Sequence, residues 1–384
     1  MTHVGIDIEQ FTRDPYGSGI QRVLQYLAIQ WPTDGPTGSF VLPHPDGHLL
    51  LTPEQAAAVL SVPFAAGTSD AGEIRALVDA AIAQAQGTVV EPGTLLSMVD
   101  RWLLPEVSYL PSVLDRLELM AECMPVAMIG YDALPMIEPA NYRFPPGATA
   151  QVSQYFRMLA RADAVVCISE YSRTSIWDRL RRERSAVTTV AHPGGDHITP
   201  RPEEQRSKQP AETGTCTFIK VGTLEARKKP LETIEAFRLL REQGLDAQLV
   251  LLGRPSSSDP DINHQVQVAV DADIGVSWIH DARDEEVLEH LRRADVFIAI
   301  GTEGYGIPVL EAICQGVPVV FDGIQPAAEL MTGAGATRLD ASRPSTLAQS
   351  LHHAAEHRRE LAQQIDLTAI PTWREFVRGV LAVL

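Results

Sequence analysis

The 384-residue sequence has few cysteines, a deficit of positive charge and no long apolar run, and each shortage excludes a class of protein. Its four cysteines, Cys123, Cys167, Cys216 and Cys314, lack metal-site spacing, so we expect buried free thiols in a reducing compartment. A net charge of −17 argues against a nucleic-acid partner, because such proteins need basic surface. No stretch approaches the ~20 apolar residues of a membrane span, and no apolar signal core follows residues 1–7. We therefore expect a cytoplasmic protein without a transmembrane segment, with peripheral membrane contact left open.

Short apolar runs alternate with longer segments of helical period along most of the chain. This alternation predicts α/β domains with parallel sheets covered by helices. The predicted strands are 4–8, 39–42, 95–99, 125–129, 164–168, 187–191, 216–221, 247–252, 274–278, 296–300 and 317–321. The predicted helices include 20–31, 74–84, 107–122, 150–161, 231–243, 284–293 and 308–315.

A break in composition near residue 200 predicts two domains. Residues 197–214 contain three prolines, many charges and almost no apolar side chains, which is typical of a linker or an exposed loop. We expect an N-terminal domain over 1–200, a C-terminal domain over 201–370 and an amphipathic helix over 371–384. Two such domains are expected to bind ligands in a cleft at the carboxyl ends of their strands.

A glycine-rich turn follows the predicted strand 296–300. Gly304, Tyr305 and Gly306 precede Ile307 and Pro308, where a helix is expected to begin. Glycines let a ligand approach the backbone closely, and the N-terminus of a helix attracts anions. The turn therefore predicts a diphosphate site.

Two glutamates flank this turn, Glu303 within it and Glu311 about one turn into the helix. A nucleotide sugar offers a pair of vicinal hydroxyls on its sugar and another on its ribose, and each glutamate is suited to bind one pair. The alternative is structural: the helix dipole stabilises Glu303, and Glu311 lies on a solvated face.

The stretch from Glu303 to Glu311 resembles the signature of the retaining glycosyltransferases of family 4. That signature has two glutamates separated by seven residues around a Gly-aromatic-Gly-aliphatic-Pro core, and residues 314–320 also fit the family pattern. The resemblance implies the GT-B fold, with two Rossmann-like doubly wound domains. It further implies that the C-terminal domain holds the nucleotide sugar and the N-terminal domain the acceptor, and that neither a metal nor a separate cofactor takes part. In this family the C-terminal helix returns to pack on the N-terminal domain, which is the expectation for residues 371–384. In this family Glu303 would hold the sugar hydroxyls and Glu311 the ribose.

A second segment, 221–230, places cations at a strand-to-helix turn, where they neutralise a leaving diphosphate. It is similar to a turn of the same family that carries a lysine and an arginine, which assigns that role to Arg227 and Lys228. Thr223 stands where many relatives have the arginine, so either cation remains a candidate for the main contact. An exposed basic turn before a helix is the alternative.

Further candidates are weaker. Gly19 lies in a glycine pair similar to the family's N-terminal loop, which approaches the donor phosphate. Tyr131 and Asp132 form an acceptor-side turn, with Tyr131 where relatives often have histidine and Asp132 either catalytic or local in role. Ser169 is expected mainly to cap a helix, and His280 is a candidate for the nucleotide-base pocket.

The sequence therefore predicts a retaining hexosyltransferase that acts on a hydroxyl acceptor, either a small natural product or a growing glycan. Its alanine, arginine and proline content suits a GC-rich bacterial genome, in which glycan and antibiotic biosynthesis both use such enzymes. Two alternatives stay open: a nucleotide-sugar epimerase of the same fold and a non-catalytic nucleotide-sugar-binding partner.

Overall fold

A computed structural model describes residues 2–66, 68, 70–139, 142, 144, 147–180, 187–202, 214–272, 274–280 and 282–384. The chain divides into two compact units. Unit 1 comprises Met1–Ile137, Phe144–Pro193 and Thr372–Leu384, and unit 2 comprises Glu138–Arg143 and Gly194–Pro371.

Unit 1 is built on an eight-stranded sheet with the order β4-β3-β2-β1-β5-β6-β7-β8. Its strands are β1 (His3–Asp7), β2 (Thr37–His44), β3 (Gly47–Leu51), β4 (Thr88–Val90), β5 (Arg101–Leu104), β6 (Val126–Gly130), β7 (Ala164–Cys167) and β8 (Val187–Val190). The pairs from β2 through β1 and β5 to β8 are parallel. The expectation of parallel strands alone is wrong at one edge, where β3 pairs antiparallel with both β2 and β4. The β2–β3 pairing is antiparallel because a tight Asp46-Gly47 turn joins the two strands, and Gly47 adopts φ +136° there.

The helices of unit 1 cover this sheet, and several of them begin with a side-chain cap. They are α1 (Glu9–Arg13), α2 (Gly19–Ile29), α3 (Pro53–Ala65), α4 (Ala71–Gln84), α5 (Pro92–Met98), α6 (Pro111–Cys123), α7 (Leu134–Ile137), α8 (Thr149–Arg161) and α9 (Glu170–Leu180). Ser18, Thr52 and Asp70 each accept a backbone N–H at the start of α2, α3 and α4.

The predicted strand 95–99 is wrong, because this stretch forms the end of α5 and the strand follows at β5. Leu95 and Val99 are its buried residues, four positions apart, which is the spacing of a helix face. Met98 between them is exposed. A short apolar run does not distinguish these structures, and Pro92 at the first turn favours the helix.

Unit 2 contains a six-stranded, fully parallel sheet with the order β11-β10-β9-β12-β13-β14. Its strands are β9 (Cys216–Val221), β10 (Ala247–Leu252), β11 (Val276–Ile279), β12 (Val296–Thr302), β13 (Val319–Ile324) and β14 (Ala336–Arg338). The main helices are α10 (Pro230–Glu242), α11 (Pro260–Asp271), α12 (Asp284–Arg293), α13 (Ile307–Cys314), α14 (Pro326–Leu330), α15 (Pro344–Glu356) and α16 (Arg358–Gln363). The apolar strands of this sheet are buried between helices, as their composition predicts.

The C-terminal helix α17 (Trp373–Leu381) forms where the sequence predicts an amphipathic helix. Its buried residues are Trp373, Phe376, Val377 and Val380, and the Trp373 ring stacks on Tyr26 of α2 at a centroid distance of 4.7 Å. The helix is therefore part of the packing of unit 1.

All four cysteines are free, as expected. Cys167, Cys216 and Cys314 are buried, but the prediction is wrong for Cys123, which is exposed because it is the last residue of α6. In the part of the chain that the structure describes, no helix combines the length and the apolar character needed to cross a bilayer.

Candidate functional site

The order of strands in unit 2 creates a crevice at the carboxyl ends of β9 and β12. The two strands are neighbours, but the chain continues from β9 to β10 on one side and from β12 to β13 on the other. Parallel α/β sheets bind ligands at such a switch point, because the loops diverge there.

Glycines line this edge of the sheet. Gly222, Gly253, Gly301 and Gly323 all have positive φ, between +84° and +156°. A Cβ atom on Gly301 would lie 2.1 Å from the backbone oxygen of Arg227, and one on Gly323 would lie 2.3 Å from that of Gly301. The turn that follows β9 can therefore lie directly on the end of β12 only because Gly301 has no side chain.

That turn carries the two predicted cations. A short 3-10 helix, Ala226–Lys228, ends at Lys229, which has a left-handed backbone with φ +52°, and Pro230 then begins α10. The turn directs Arg227 towards β12, where its Nη1 donates to the backbone oxygen of Thr302 at 2.6 Å. Local turn chemistry thus places a guanidinium at the switch point.

Glu303 lies between both cations. Its Oε2 is 2.9 Å from Arg227 Nη1, and its Oε1 is 2.8 Å from Lys228 Nζ. Arg227 also pairs with Glu225, at 2.5 Å from Nη2 to Oε2. The structure therefore brings together three residues that the sequence singled out in two separate segments.

The electrostatics of this cluster favour charged side chains. Burial alone raises the pKa of Glu303, but Lys228 and Arg227 outweigh it and lower that pKa to about 2. Burial works against the charge of Arg227, yet Glu303 and Glu225 raise its pKa. Arg227 Nε is buried and has no hydrogen-bond partner among the described residues. The cluster therefore offers an unused donor on Arg227 beside the Lys228 ammonium, and both groups suit a phosphate oxygen.

Sequence reasoning missed Lys220, a buried lysine on β9. Its Nζ donates to the backbone oxygen of Ile300 at 3.3 Å, and the residue is 8% exposed. Burial, and then the nearby charge of Lys228, lower its pKa to about 7. The available signal was a lysine in an otherwise apolar strand, where charge is costly unless it serves the site.

The predicted helix N-terminus is present at α13. Gly306 precedes the helix with φ +106°, and no side chain caps this end. Tyr305 is 3% exposed, burial raises its pKa, and its backbone oxygen accepts from Ala327 N–H at 3.0 Å. Tyr305 therefore holds the turn in place. Gly304, which is also buried, and Gly306 have no side chains, so a ligand can approach their backbone closely.

Glu311 does not lie on a solvated face. It is 8% exposed, and its Oε1 is 3.0 Å from Nε2 of His197. The prediction of a linker or exposed loop from residue 197 is therefore wrong at its start, because the His197 side chain is only 2% exposed. Residues 203–213 of that prediction lie outside the described residues.

Two other predicted residues of unit 2 lie on neighbouring loops. Thr223 follows β9 and accepts from Glu225 N–H at 2.9 Å through its backbone oxygen. His280 follows β11, is exposed, and meets the Trp278 ring edge-on at 5.5 Å. Its sequence neighbour Asp281 lies outside the described residues.

The predicted residues of unit 1 have local contacts. Gly19 is the first residue of α2. The buried Tyr131 hydroxyl donates to the backbone oxygen of Pro105 at 2.7 Å, and Asp132 Oδ1 accepts from Leu134 N–H at 2.9 Å at the start of α7. Ser169 Oγ accepts from Ser172 N–H at 3.0 Å, which is the predicted cap of α9.

Unit 1 has its own switch point, between β1 and β5, and sequence reasoning missed its charges. Arg116 pairs with Asp7 at 2.7 Å and with Glu9 at 2.9 Å. Burial raises the pKa of Asp7 despite Arg116. Glu106, which follows β5, is 2% exposed, burial raises its pKa to about 8, and its Oε2 has no hydrogen-bond partner within the described residues.

One group in the described residues has ligand atoms close enough for a metal ion. His353, Glu356 and His357 lie at the end of α15, with ligand atoms within 4.8 Å of one another. Two of the three are exposed, so this surface group is separate from the half-buried cluster at Glu303.

The two-domain α/β architecture is that of the GT-B glycosyltransferases. The structure resembles that of HepE from Anabaena in complex with UDP and glucose, with a TM-score of 0.63, 14% identity and full coverage of both chains. It also resembles WaaG, a glycosyltransferase involved in lipopolysaccharide biosynthesis, with a TM-score of 0.58, 17% identity and 99% coverage of each chain. The predicted fold class is therefore confirmed.

Part of the sequence matches a known family. Residues 202–366 match the family of glycosyl transferases group 1, so the predicted family resemblance is confirmed over the segment that carries the site. The serotype-specific mannosyltransferase WbdA of Escherichia coli is 26% identical over 42% of this chain and 22% of its own length. The GDP-mannose-dependent alpha-(1-6)-phosphatidylinositol dimannoside mannosyltransferase of Mycobacterium tuberculosis is 27% identical over 59% of each chain. The matched part of this chain thus spans less than two thirds of either relative.

Proposed function

We propose that this chain transfers a hexose from a nucleotide diphosphate sugar to a hydroxyl group of an acceptor, with retention at the anomeric carbon and without a metal ion. The observation that carries the proposal is the Glu303 carboxylate between Arg227 and Lys228 at the switch point of unit 2. The family match covers these residues.

The charges of this cluster suit a leaving diphosphate. Negative charge grows on the diphosphate as the bond to the sugar breaks, and preorganised cations in a shielded site stabilise it strongly. Arg227, Lys228 and the uncapped end of α13 supply that stabilisation in the proposal, in the role that a metal has in other enzymes. Glu303 binds sugar hydroxyls, and Glu311 binds the ribose.

Mannose is the first sugar to test. The relatives from Escherichia coli and Mycobacterium tuberculosis are both mannosyltransferases, and the second is GDP-mannose-dependent. The structural neighbour HepE has been seen with UDP-glucose, so UDP-glucose is the second donor to test. Retention rests on the resemblance of Glu303–Glu311 to the family 4 signature. The acceptor is proposed to bind unit 1 and to be a growing glycan, because the Mycobacterium tuberculosis relative is named for a mannosylated acceptor, phosphatidylinositol dimannoside.

A binding panel tests the donor class. Calorimetry with GDP, UDP, ADP, CMP and dTDP, first with a chelator and then with Mg²⁺, is expected to find one diphosphate that binds equally well in both conditions. Binding that needs Mg²⁺ would remove metal independence from the proposal. If no diphosphate binds, the donor site itself is contradicted.

A transfer assay tests the reaction. With radiolabelled GDP-mannose or UDP-glucose, Glu303→Ala is expected to lower transfer by about 100-fold or more, the magnitude of losing one transition-state contact. Its affinity for the free diphosphate is expected to stay within about threefold, since both cations remain. Glu235→Ala is the control, because Glu235 pairs with Arg238 on the surface of α10.

The fate of the label separates the alternatives. Label in an acceptor supports transfer, and NMR of the new linkage reports retention or inversion. Label in an isomerised donor would indicate an epimerase, and label that is only bound would indicate a binding partner. Full activity in both Glu303→Ala and Glu311→Ala would show that the site is assigned wrongly.

A further inference from the structure

The contact between His197 and Glu311 is buried on both sides. Nε2 of His197 is 3.0 Å from Oε1 of Glu311, and the two side chains are 2% and 11% exposed. A carboxylate oxygen only accepts, so Nε2 is the donor in this hydrogen bond. Because neither group is open to water, the contact fixes the Glu311 carboxylate more strongly than a surface pair would.

The segment that carries His197 is attached to α13 on both sides of the histidine. Before it, a Cβ on Gly195 would lie 2.8 Å from Leu310 Cβ, so only glycine packs this closely on the helix. After it, Thr199 accepts from the fully buried Gln315 at 3.1 Å, and Arg201 N–H donates to the Cys314 backbone oxygen at 3.0 Å. The imidazole therefore has a defined position relative to the helix that carries Glu311.

We propose that His197 positions the Glu311 carboxylate for the ribose hydroxyls of the donor nucleotide, an inference that rests on the proposed function. A glutamate has three side-chain torsions, and ordering them costs free energy when the ligand must do it. His197 occupies one acceptor position of Oε1 before the nucleotide arrives. An ionised carboxylate has about four such positions, and this contact takes one of them.

If His197 orients Glu311, then His197 influences how strongly the protein prefers ribonucleotides to deoxyribonucleotides. A ligand that requires a correctly oriented carboxylate binds more weakly when the hydrogen bond that orients the carboxylate is removed. In metal sites, removing a hydrogen bond to a ligating side chain weakens metal binding in the same way. A nucleotide without the 2′-hydroxyl makes fewer hydrogen bonds to Glu311, so its affinity is expected to fall less. The expected signature of positioning is therefore a change in the preference for ribose over deoxyribose.

Two variants of His197 test this. His197→Phe keeps an aromatic ring but removes the donor, and His197→Gln keeps an N–H donor at a similar reach. Calorimetry is done with GDP and 2′-deoxy-GDP, and with UDP and 2′-deoxy-UDP, on the full chain. The phenylalanine variant is expected to bind the ribonucleotide about tenfold more weakly, the lower end for a hydrogen bond to a charged group. Its affinity for the deoxy form is expected to change by less than about twofold, and His197→Gln is expected to restore most of the wild-type ratio.

Different outcomes overturn different claims. If the wild-type protein discriminates between ribose and deoxyribose and His197→Phe and His197→Gln both keep that full ratio, the inference is wrong and the proposed function stands. Equal weakening of both nucleotides in His197→Phe, with no rescue by glutamine, would also overturn it, because that is the result of a general structural role. If the wild-type protein binds both forms equally, the ribose role of Glu311 fails and the inference fails with it.

Discussion

The two sheets have similar switch points with different balances of acids and cations. In unit 1, between β1 and β5, Arg116 pairs with two buried acids, Asp7 and Glu9, and Arg13 also pairs with Glu9. In unit 2, between β9 and β12, Glu303 pairs with two cations, Arg227 and Lys228, and Glu225 also pairs with Arg227. The buried Glu106 adds a third acid in unit 1 and the buried Lys220 a third cation in unit 2, so acids are in excess in one cluster and cations in the other.

Both places also hold buried polar atoms without a hydrogen-bond partner among the described residues. In unit 1 this atom is Glu106 Oε2, and in unit 2 the atoms are a donor, Arg227 Nε, and an acceptor, Glu225 Oε2. An unused donor suits a phosphate oxygen, whereas the buried acids Asp7, Glu9 and Glu106 present oxygens that suit hydroxyl groups. The comparison indicates that strand order fixes where ligands bind and that a few loop residues fix which ligand is suited. It supports the proposed division into a donor unit and an acceptor unit.

The largest expected effect is on stability and comes from removing the cation of unit 1. Arg116→Met leaves Asp7 and Glu9 buried without their shared partner, which costs about 3–5 kcal/mol for a broken buried pair. Hydrogen exchange of β1 and β5 peptides in urea measures this for unit 1 alone. The control Arg157→Met, whose partner Glu118 is exposed, is expected to cost less than about 1 kcal/mol. Equal losses in the two variants would contradict the distinction between buried and surface charge.

Glu106→Gln is expected to stabilise the protein in a pH-dependent way. The pKa of Glu106 is raised from 4.5 to about 8 in the folded state, so the unfolded state ionises first and the wild-type protein loses stability as pH rises between these values. Glutamine removes that loss, so the variant gains roughly 3 kcal/mol at pH 7 and nothing below pH 4.5. Thermal unfolding from pH 4.5 to 8.5 measures the difference. A constant offset at all pH values would mean that Glu106 is not the titrating group.

Single cations of unit 2 are expected to contribute less to stability and more to binding. Lys228→Met and Arg227→Met each remove a charge-assisted contact to the diphosphate and are expected to weaken its binding by about 10–100-fold. The variant with the larger loss identifies the main contact, which the sequence left open. Arg238→Met, an exposed arginine on α10, is the control for net charge. If all three variants lose the same affinity, the effect is long-range charge, and the cluster is not the binding site.

The sequence predicted unit 2 better than unit 1 for a physical reason. Its strands are mostly apolar, so the bounds of β9 and β10 follow directly from composition, and most of its site residues lie in loops with recognisable glycines and charges. The hairpin of β2 and β3 in unit 1 was missed, although its Asp-Gly turn is a hairpin signal. Packing periodicity gives element positions, and turn chemistry gives the connections.

The sequence did not predict contacts between residues that are far apart in the chain. His197 contacts Glu311 across 114 positions and Arg116 contacts Asp7 across 109, so no spacing rule relates them. The prediction that residue 197 begins a linker failed because prolines and charges describe only local preference. Contacts with α13 override that preference in the folded chain.

The smallest expected effect, and the most specific to unit 2, is the uptake of a proton at Lys220. Burial and the charge of Lys228 lower the pKa of Lys220 to about 7, so folding favours its neutral form and stability rises with pH between about 7 and 10.5. A diphosphate that neutralises Lys228 removes part of this repulsion, and the pKa of Lys220 then rises. At pH 7.5, binding is therefore expected to take up a fraction of one proton, measured by calorimetry in buffers of different ionisation enthalpy.

Lys220→Met is expected to abolish the uptake and to stabilise the protein at pH 7, whereas uptake that persists in this variant would show that another group responds to the diphosphate. No such proton uptake is expected from unit 1, because in the proposed function the diphosphate binds unit 2 and does not contact the acids of unit 1.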